Sequence, residues 1–186
     1  MAASSFEQDL SAAQSGDEVA FATLWRNLNP GLVRYLRVVA KPAAEDVASE
    51  TWLQIIRSLG KFRGDEQSFR AWVFTIARNK VTDWRRHEGR RPTEEITAEH
   101  FDVAGSDDTE QRVLDQLSTE GALNLIATLP LEQAEIIMLR VVAGLDVAAV
   151  AKLVHKSEGA VRVSCHRALT RLRDALSTLA AGSVTR

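Results

Sequence analysis

Residues 129–173, LPLEQAEIIMLRVVAGLDVAAVAKLVHKSEGAVRVSCHRALTRLR, carry the pattern that decides the fold of the second half of the chain. Pro130 breaks one helical pattern, and apolar residues three and four apart then recur. Gly144 suits the left-handed position after a helix, and Asp146 suits the N-cap of the next helix, VAAVAKLV. A three-residue turn, HKS, precedes a longer basic helix that Ser157 caps.

A short helix, a tight turn and a basic amphipathic helix have the geometry of a helix-turn-helix motif, with small Ala151 where the helices cross. The predicted apolar face of the second helix contains Val161, Cys165, Ala168, Leu169 and Leu172. The opposite face contains Arg162, His166, Arg167 and Arg173. In a major groove, arginine donates bidentately to guanine, and Ser157 with nearby amides holds phosphates. A plain αα-hairpin in a bundle is the alternative for this half alone.

Outward from this motif, helical periodicity continues through most of the 186 residues, whereas strict alternation is scarce. We therefore predict an all-α fold. The predicted helices run over 5–15, 17–40, 43–59, 66–88, 110–128, 131–143, 147–154 and 158–179. Between the fourth and fifth helices lies a stretch with Pro92, Gly105 and many acids but little apolar periodicity. The sequence thus predicts two small helical domains, 1–91 and 112–186, joined by a flexible acidic linker, 92–111.

Charge is distributed unevenly, although the formal net charge is only −2. Residues 57–91 contain ten basic and four acidic residues, and 92–120 contain nine acids and one arginine. Residues 156–173 contain five basic residues and one acid, Glu158. Two basic blocks around an acidic segment are typical of nucleic-acid contact, although solvated helix faces are also charged.

Composition restricts the cellular setting and the chemistry. The single cysteine, Cys165, excludes an intramolecular disulfide and favours a reducing compartment. Neither a secretory signal nor an apolar run of about eighteen residues is present, so we expect a cytoplasmic protein without membrane insertion. The histidines, His87, His100, His155 and His166, do not converge with Cys165 at a ligand spacing. We predict no metal, no cofactor, no catalytic residue and no enzymatic activity.

Two features stand out in the first half. The helix after residue 43 has an apolar stripe of Val47, Ala48, Thr51, Trp52, Ile55, Ile56 and Leu59. Its other face contains Asp46, Glu50, Leu53 and Arg57, where an exposed leucine among charges suggests an anchor for a partner helix. The second feature is FRGDEQSFRAW, residues 62–72, in which aromatic side chains surround a short charged loop with a glycine.

Three long segments, in this order, resemble the bacterial sigma factors of the extracytoplasmic-function (ECF) type, which have only the second and fourth conserved sigma regions. SGDEVAFATLWRNLNPGLVRYL is similar to the opening helices of the second region. AEDVASETWLQIIRSLGKFRGDEQSFRAWVFTIARNKVTDWRR is similar to the remainder of that region, and residues 129–173 are similar to the fourth region. The resemblance covers nearly the whole chain.

The resemblance implies a function in transcription initiation. The face of Asp46, Glu50, Leu53 and Arg57 would pack on the clamp helices of the largest subunit of RNA polymerase core. The second domain would meet the flap of the second subunit and read the minus-thirty-five major groove. The predicted groove residues are Ser157, Glu158, Arg162, Val163, His166 and Arg167. The family also implies an anti-sigma factor as a partner, besides polymerase and promoter DNA.

The loop of residues 62–69 would capture an unstacked base of the minus-ten element on the non-template strand. Predicted contacts of the loop are Phe62, Arg63, Asp65 and Gln67, and the predicted phosphate contacts on the following helix are Arg70, Arg78, Lys80, Arg85 and Arg86. His155 occupies a turn position where the family usually has glycine, so we expect a left-handed backbone there.

Two other classes of function remain open from the sequence. An ordinary helix-turn-helix repressor would dimerise or bind a small ligand through its N-terminal half and would recognise a palindromic duplex without polymerase. A helical adaptor without DNA contact would have both basic blocks as solvated faces. Transcription with purified core polymerase, with and without the chain, separates the three.

Overall fold

A computed structural model describes residues 5–88 and 110–183, with side chains described as far as 88 in the first range and from 119 to 177 in the second. We call the two ranges the N-terminal half and the C-terminal half. Within them the regular structure is helical, with no strand, which confirms the predicted all-α class. Most of the predicted linker, 92–111, lies outside these ranges, and the domain bounds therefore stay a prediction.

The N-terminal half consists of α1 (Ser5–Gln14), α2 (Glu18–Val39), α3 (Ala44–Ser58) and α4 (Glu66–Glu88). A single 3-10 turn, Leu59–Lys61, leads from α3 towards α4. Asp17 begins α2 because its carboxylate accepts the backbone amides of Val19 and Ala20 at 2.8 and 3.0 Å. The core between these helices includes the fully buried side chains of Leu32, Tyr35, Leu36, Ile55, Phe69, Val73 and Phe74.

The C-terminal half consists of α5 (Glu110–Ala127), α6 (Leu131–Ile137), α7 (Val147–Val154) and α8 (Glu158–Ser183). A π-helical turn, Met138–Val142, continues α6. Gly144 follows at a φ of 66°, and the Asp146 carboxylate caps α7 by accepting the Ala149 amide at 2.7 Å, as predicted. His155 ends α7 in the left-handed region, at φ 57° and ψ 46°, which confirms the expectation for this turn.

The two halves share a hydrophobic core, a packing that the sequence does not predict. Met138 and Leu139 of the C-terminal half belong to the same buried cluster as Leu32 and Phe74 of the N-terminal half. At Gly31 the helices approach closely, since a Cβ there would lie 3.4 Å from the carbonyl oxygen of Val142. The packing brings the loop after α3 next to the turn between α6 and α7.

Candidate nucleic-acid interface

The loop between α3 and α4 lies on an aromatic platform. Phe62 is 9% exposed, and its ring centroid lies 5.1 Å from that of Phe69 and 5.0 Å from that of Trp72. Phe6 of α1 extends the cluster, 5.5 Å from Phe69. Phe62 was predicted to contact DNA, but here its ring is buried beneath the loop because apolar contacts surround it. The ring is therefore placed to support the loop.

Gly64 gives the loop its shape. Its φ is +152°, and a Cβ at this position would lie 2.9 Å from the Ser68 Cβ and 3.1 Å from the Phe62 Cζ. Real Cβ atoms do not approach side-chain carbons this closely, so a residue with a side chain would displace Ser68 or Phe62. The turn over the aromatic platform consequently requires glycine.

The polar residues of the loop already have partners within the protein. Arg63 donates to the carbonyl oxygens of Gly60 and Phe62 at 2.9 and 2.6 Å. The Asp65 carboxylate accepts the Ser68 backbone amide at 2.8 Å, and hydrogen bonds from the Ser68 side chain and backbone lower the pKa of Asp65. Arg63 and Asp65 are exposed but hold the loop in one conformation.

Gln14 is a positioning residue that the sequence did not reveal. Its side-chain amide donates to the carbonyl oxygens of Leu59 and Phe62, both at 2.9 Å. These bonds tie the last residue of α1 to the start of the loop, 48 residues later in the chain. A glutamine at the end of an amphipathic helix has no signature that would indicate such a contact.

All five cations predicted to contact phosphates have partners in this structure. Arg70 pairs with Glu66 at 3.2 Å, Lys80 with Glu50 at 3.2 Å, and Arg86 with Asp83 at 3.7 Å. Arg85 donates to the carbonyl oxygen of Val39. Arg78 pairs across the halves with Glu135 at 3.0 Å. In each of the first three pairs the acid is exposed, whereas 26% of the Arg70 side chain and 31% of the Lys80 side chain are exposed. Such surface pairs are weak and can exchange for other anions.

Glu135 is a buried acid that sequence reasoning missed. It is 7% exposed, and its Oε1 atom accepts hydrogen bonds from the Tyr35 hydroxyl at 3.1 Å and the Arg78 Nε at 3.0 Å. Burial, followed by the negative charge of Glu135, raises the pKa of Tyr35 well above its ordinary value. The available signal was an acid within the apolar run AEIIML, which is unusual unless the acid is paired.

Helix α8, the predicted recognition helix, presents its predicted groove residues together. Ser157, Glu158, Arg162, Val163, His166 and Arg167 are all exposed. Val161, Ser164 and Ala168 are buried on the opposite face. Leu169 was predicted to lie on the buried face but is 55% exposed. The Ser157 hydroxyl caps the helix, accepting the Ala160 amide at 3.2 Å.

The predicted partner-binding face of α3 is exposed over its whole length. Asp46, Glu50, Leu53 and Arg57 all lie at the surface, with Leu53 53% exposed. Ile56, which the sequence placed on the buried stripe, is 54% exposed and lies beside Leu53 on the helix. Trp25 of α2 is 40% exposed and packs on Trp52, with 6.4 Å between the ring centroids.

Two further properties of the described residues bear on the class of the site. Where side chains are described, in residues 5–88 and 119–177, no three His, Cys, Asp or Glu side chains are grouped so that they could hold a metal ion. His100 lies outside those ranges. None of the helices in the described part of the chain is both long enough and apolar enough to span a membrane.

Family models match both parts of the candidate interface. The model for Sigma-70 region 2 matches residues 20–91, which include the α3 face, the loop and α4. The model for Sigma-70 region 4 matches residues 119–172, which include the helix-turn-helix motif.

Curated relatives extend the similarity over most of the chain. The chain is 36% identical over 171 residues to the ECF RNA polymerase sigma factor SigD of Mycobacterium tuberculosis, covering 87% of this chain and 79% of SigD. It is 36% identical over 163 residues to BldN of Streptomyces coelicolor, also an ECF RNA polymerase sigma factor, covering 86% of this chain but only 61% of BldN.

Two solved structures have a similar fold. CnrH, solved in complex with the cytosolic domain of CnrY, has a TM-score of 0.60 at 23% identity, covering 91% of this chain and 96% of CnrH. The sigma factor RpoE of Bartonella quintana, solved with the anti-sigma factor NepR, has a TM-score of 0.64 at 23% identity, covering 84% of this chain and 96% of RpoE.

Proposed function

This chain belongs to the ECF RNA polymerase sigma factors, and we propose from its geometry which surfaces carry promoter-directed transcription initiation. The observation that carries the proposal is the exposed groove face of α8. Six predicted contacts lie together at the surface there, while the other face of the same helix is buried. A helix exposed in this way enters a major groove with its first turns, where Arg162 and Arg167 reach base edges or phosphates.

The loop at residues 62–69 captures a base of the minus-ten element. The buried ring of Phe62 supports the loop, and the exposed side chains of Arg63, Asp65 and Gln67 border the space above it. Arg70, Arg78, Lys80, Arg85 and Arg86 bind phosphates of the non-template strand after they exchange their present partners. Flipping a base out of a stack costs a few kcal/mol, which contacts of about 1–3 kcal/mol per stacked base offset.

The exposed face of α3 docks on core polymerase. Leu53 and Ile56 form an apolar centre, and Asp46, Glu50 and Arg57 form a charged rim, the usual anatomy of a helix-binding surface. We assign the clamp helices of the largest subunit to this face and the flap of the second subunit to the C-terminal half. The chemistry of RNA synthesis belongs to the core, so this chain regulates transcription without acting as an enzyme, and it works in the bacterial cytoplasm.

An anti-sigma factor is the expected regulator. RpoE of Bartonella quintana was solved with such a partner, and CnrH was solved with CnrY. An inhibitor that covers the α3 face or the loop would block the surfaces assigned above. Copurification from native cells would identify it.

In vitro transcription with purified core polymerase tests the proposed function. Core with the chain should give RNA from defined start sites on genomic templates, and core alone should not. Arg162→Ala should lower this activity about tenfold or more, since one good base or phosphate contact contributes roughly 1–3 kcal/mol. Arg171→Ala is the matched control on α8, because Arg171 lies nearer the edge of the groove face and donates to Gln133 of α6.

The alternatives give different results in the same assay. Tight, selective binding of a palindromic duplex without core would support a repressor. A folded chain that yields no start-site-specific RNA from any genomic template, with inhibitor absent, would refute the sigma-factor function.

A further inference from the structure

Glu135 of the C-terminal half is bonded to Arg78 of the N-terminal half. In the proposed function, Arg78 binds a DNA phosphate instead. The Glu135 carboxylate accepts hydrogen bonds from Tyr35 of α2 and Arg78 of α4. Arg78 is one of the cations assigned to the non-template strand. In this structure its side chain is only 23% exposed and is directed to the acid.

The partner of Arg78 resembles a phosphate group in chemistry. A carboxylate and a phosphate both offer anionic oxygens to the guanidinium, and both form charge-assisted hydrogen bonds with it. The Nε atom of Arg78 is bonded to Glu135 and only 23% of the side chain is exposed, so a strand phosphate reaches the whole guanidinium only after Glu135 leaves it. Glu135 and DNA therefore compete for this residue.

A second contact between the halves involves the base-capturing loop. The Gln67 side-chain amide donates to the carbonyl oxygen of Gly144 at 3.0 Å. Gly144 belongs to the turn between the π-helical turn and α7, so the C-terminal half lies directly beside the loop. The same packed arrangement thus engages two residues of the minus-ten surface, Gln67 at the start of α4 and Arg78 further along the same helix.

The interface is apolar around these polar contacts. Ile136, Met138 and Leu139 flank Glu135 and are buried in the shared core. Burial of a carboxylate is costly unless it is paired, so Glu135 favours packing only when Arg78 and Tyr35 are in place. The acid therefore couples closure of the halves specifically to the position of Arg78.

We propose that the packed arrangement is an autoinhibited state, in which Glu135 occupies the position on Arg78 that a phosphate of the non-template strand takes when the halves separate. This inference rests on the proposed function, because it uses the assignment of α4 to the non-template strand. Single-stranded DNA and the C-terminal half compete for one surface. The apparent affinity of the free chain for the strand is reduced by the fraction of molecules that are open.

The test uses the full chain without polymerase. Small-angle X-ray scattering measures the radius of gyration, and fluorescence anisotropy measures binding of a labelled short single-stranded DNA of mixed sequence. Glu135→Gln keeps the shape of the side chain but removes its charge. We expect a larger radius of gyration and an affinity for the oligonucleotide that is higher by about fivefold or more, as the open fraction rises.

Glu132→Gln is the matched control. Glu132 lies one turn earlier on the same helix and is exposed, and it pairs with Lys156 of the C-terminal half at 2.9 Å. This variant removes the same charge without touching the interface, so both measurements should remain at wild-type values. Equal gains in oligonucleotide affinity for both variants would show a general charge effect and would overturn the proposal.

A measurement on the wild type covers the case in which Glu135→Gln fails to fold, as judged by circular dichroism. Saturating oligonucleotide should expand the wild-type chain, because strand binding and closure compete for Arg78. Expansion supports the proposal; binding without expansion overturns it.

A folded Glu135→Gln variant that stays compact, or that opens without binding the strand more tightly, also overturns the proposal. Start-site-specific RNA from wild type with core would meanwhile leave the proposed function intact.

Discussion

Gly64 shows how a single backbone position shapes the proposed base-capturing loop. Gly64→Ala places a Cβ 2.9 Å from the Cβ of Ser68 at a φ that side chains rarely adopt. We expect a loss of about 1–3 kcal/mol in the free energy of unfolding, measured by chemical denaturation. Promoter opening in the transcription assay should also fall, because the loop must move off its aromatic platform.

Gly60→Ala is the control for this change. It lies four residues earlier, in the 3-10 turn, and a Cβ there would meet nothing within 4 Å. This variant should keep both stability and promoter opening close to wild type. Equal behaviour of the two alanine variants would contradict the role assigned to Gly64.

Tyr35 makes the interface between the halves sensitive to alkaline pH. Burial, together with the adjacent carboxylate of Glu135, raises the pKa of the Tyr35 hydroxyl above the ordinary value of about 10. The folded chain keeps this proton at pH values where the unfolded chain loses it, so stability is retained below about pH 10 and declines above it. Because Tyr35 is the single tyrosine of the chain, phenolate absorbance reports this group alone.

In an alkaline titration, we expect phenolate absorbance to appear only together with loss of the helical circular-dichroism signal. Tyr35→Phe should weaken the decline of stability above about pH 10, since the group that titrates is gone. Phenolate formation near the ordinary pKa in a fully helical protein would show that Tyr35 is accessible and would contradict its burial.

At the scale of helices, the left-handed turn between α7 and α8 is a point where sequence and geometry conflict. His155 adopts φ 57° and ψ 46°, which costs a residue with a Cβ roughly 1–2 kcal/mol. Glycine adopts this conformation freely but adds entropy to the unfolded chain, which offsets part of the gain. His155→Gly should therefore raise stability slightly, by about 0.5 kcal/mol, in chemical denaturation. His155→Val, with a branched side chain, should lower it, and the opposite order would contradict the turn geometry.

The helices were predictable because their signals are local. Apolar spacing and caps such as Asp146 depend on neighbouring residues, and the observed bounds of α4 and α7 equal the predicted ones. The exposed groove face of α8 was predictable for the same reason. Errors occurred at Leu169 and Ile56, since each lies at the edge of an apolar stripe and burial there depends on the element packed against it.

The contacts that build the site from distant parts of the chain were not predictable. Gln14 reaches Phe62 across 48 residues, and Tyr35 reaches Glu135 across 100 residues. Periodicity reports which face of a helix is apolar, but not which helix covers it. The sequence predicted the loop residues as a group, which stays a prediction, and the burial of Phe62 followed only from how α1 and α4 pack around it.

For the whole molecule, the shared core predicts that the two halves unfold together. All four tryptophans lie in the N-terminal half, at positions 25, 52, 72 and 84, so tryptophan fluorescence follows that half alone. Leu139 lies in the C-terminal half and is fully buried against the shared core. Leu139→Ala should cost about 2–5 kcal/mol through the cavity it leaves. If the halves form one cooperative unit, the urea midpoint followed by tryptophan fluorescence must shift by the same amount as the midpoint followed by circular dichroism.

Leu176→Ala provides the comparison, because Leu176 is 56% exposed on α8 and should leave both transitions unchanged. Two separate transitions in the wild type, or a Leu139→Ala variant whose tryptophan transition stays in place, would show that the halves fold independently. The shared core would then contribute little to stability, and closure would depend on the contacts of Glu135 and Gln67. Coincident shifts would instead mean that separating the halves breaks the apolar contacts of the shared core as well as the contacts of Glu135 and Gln67. Binding to core polymerase must then supply the free energy for breaking both sets of contacts.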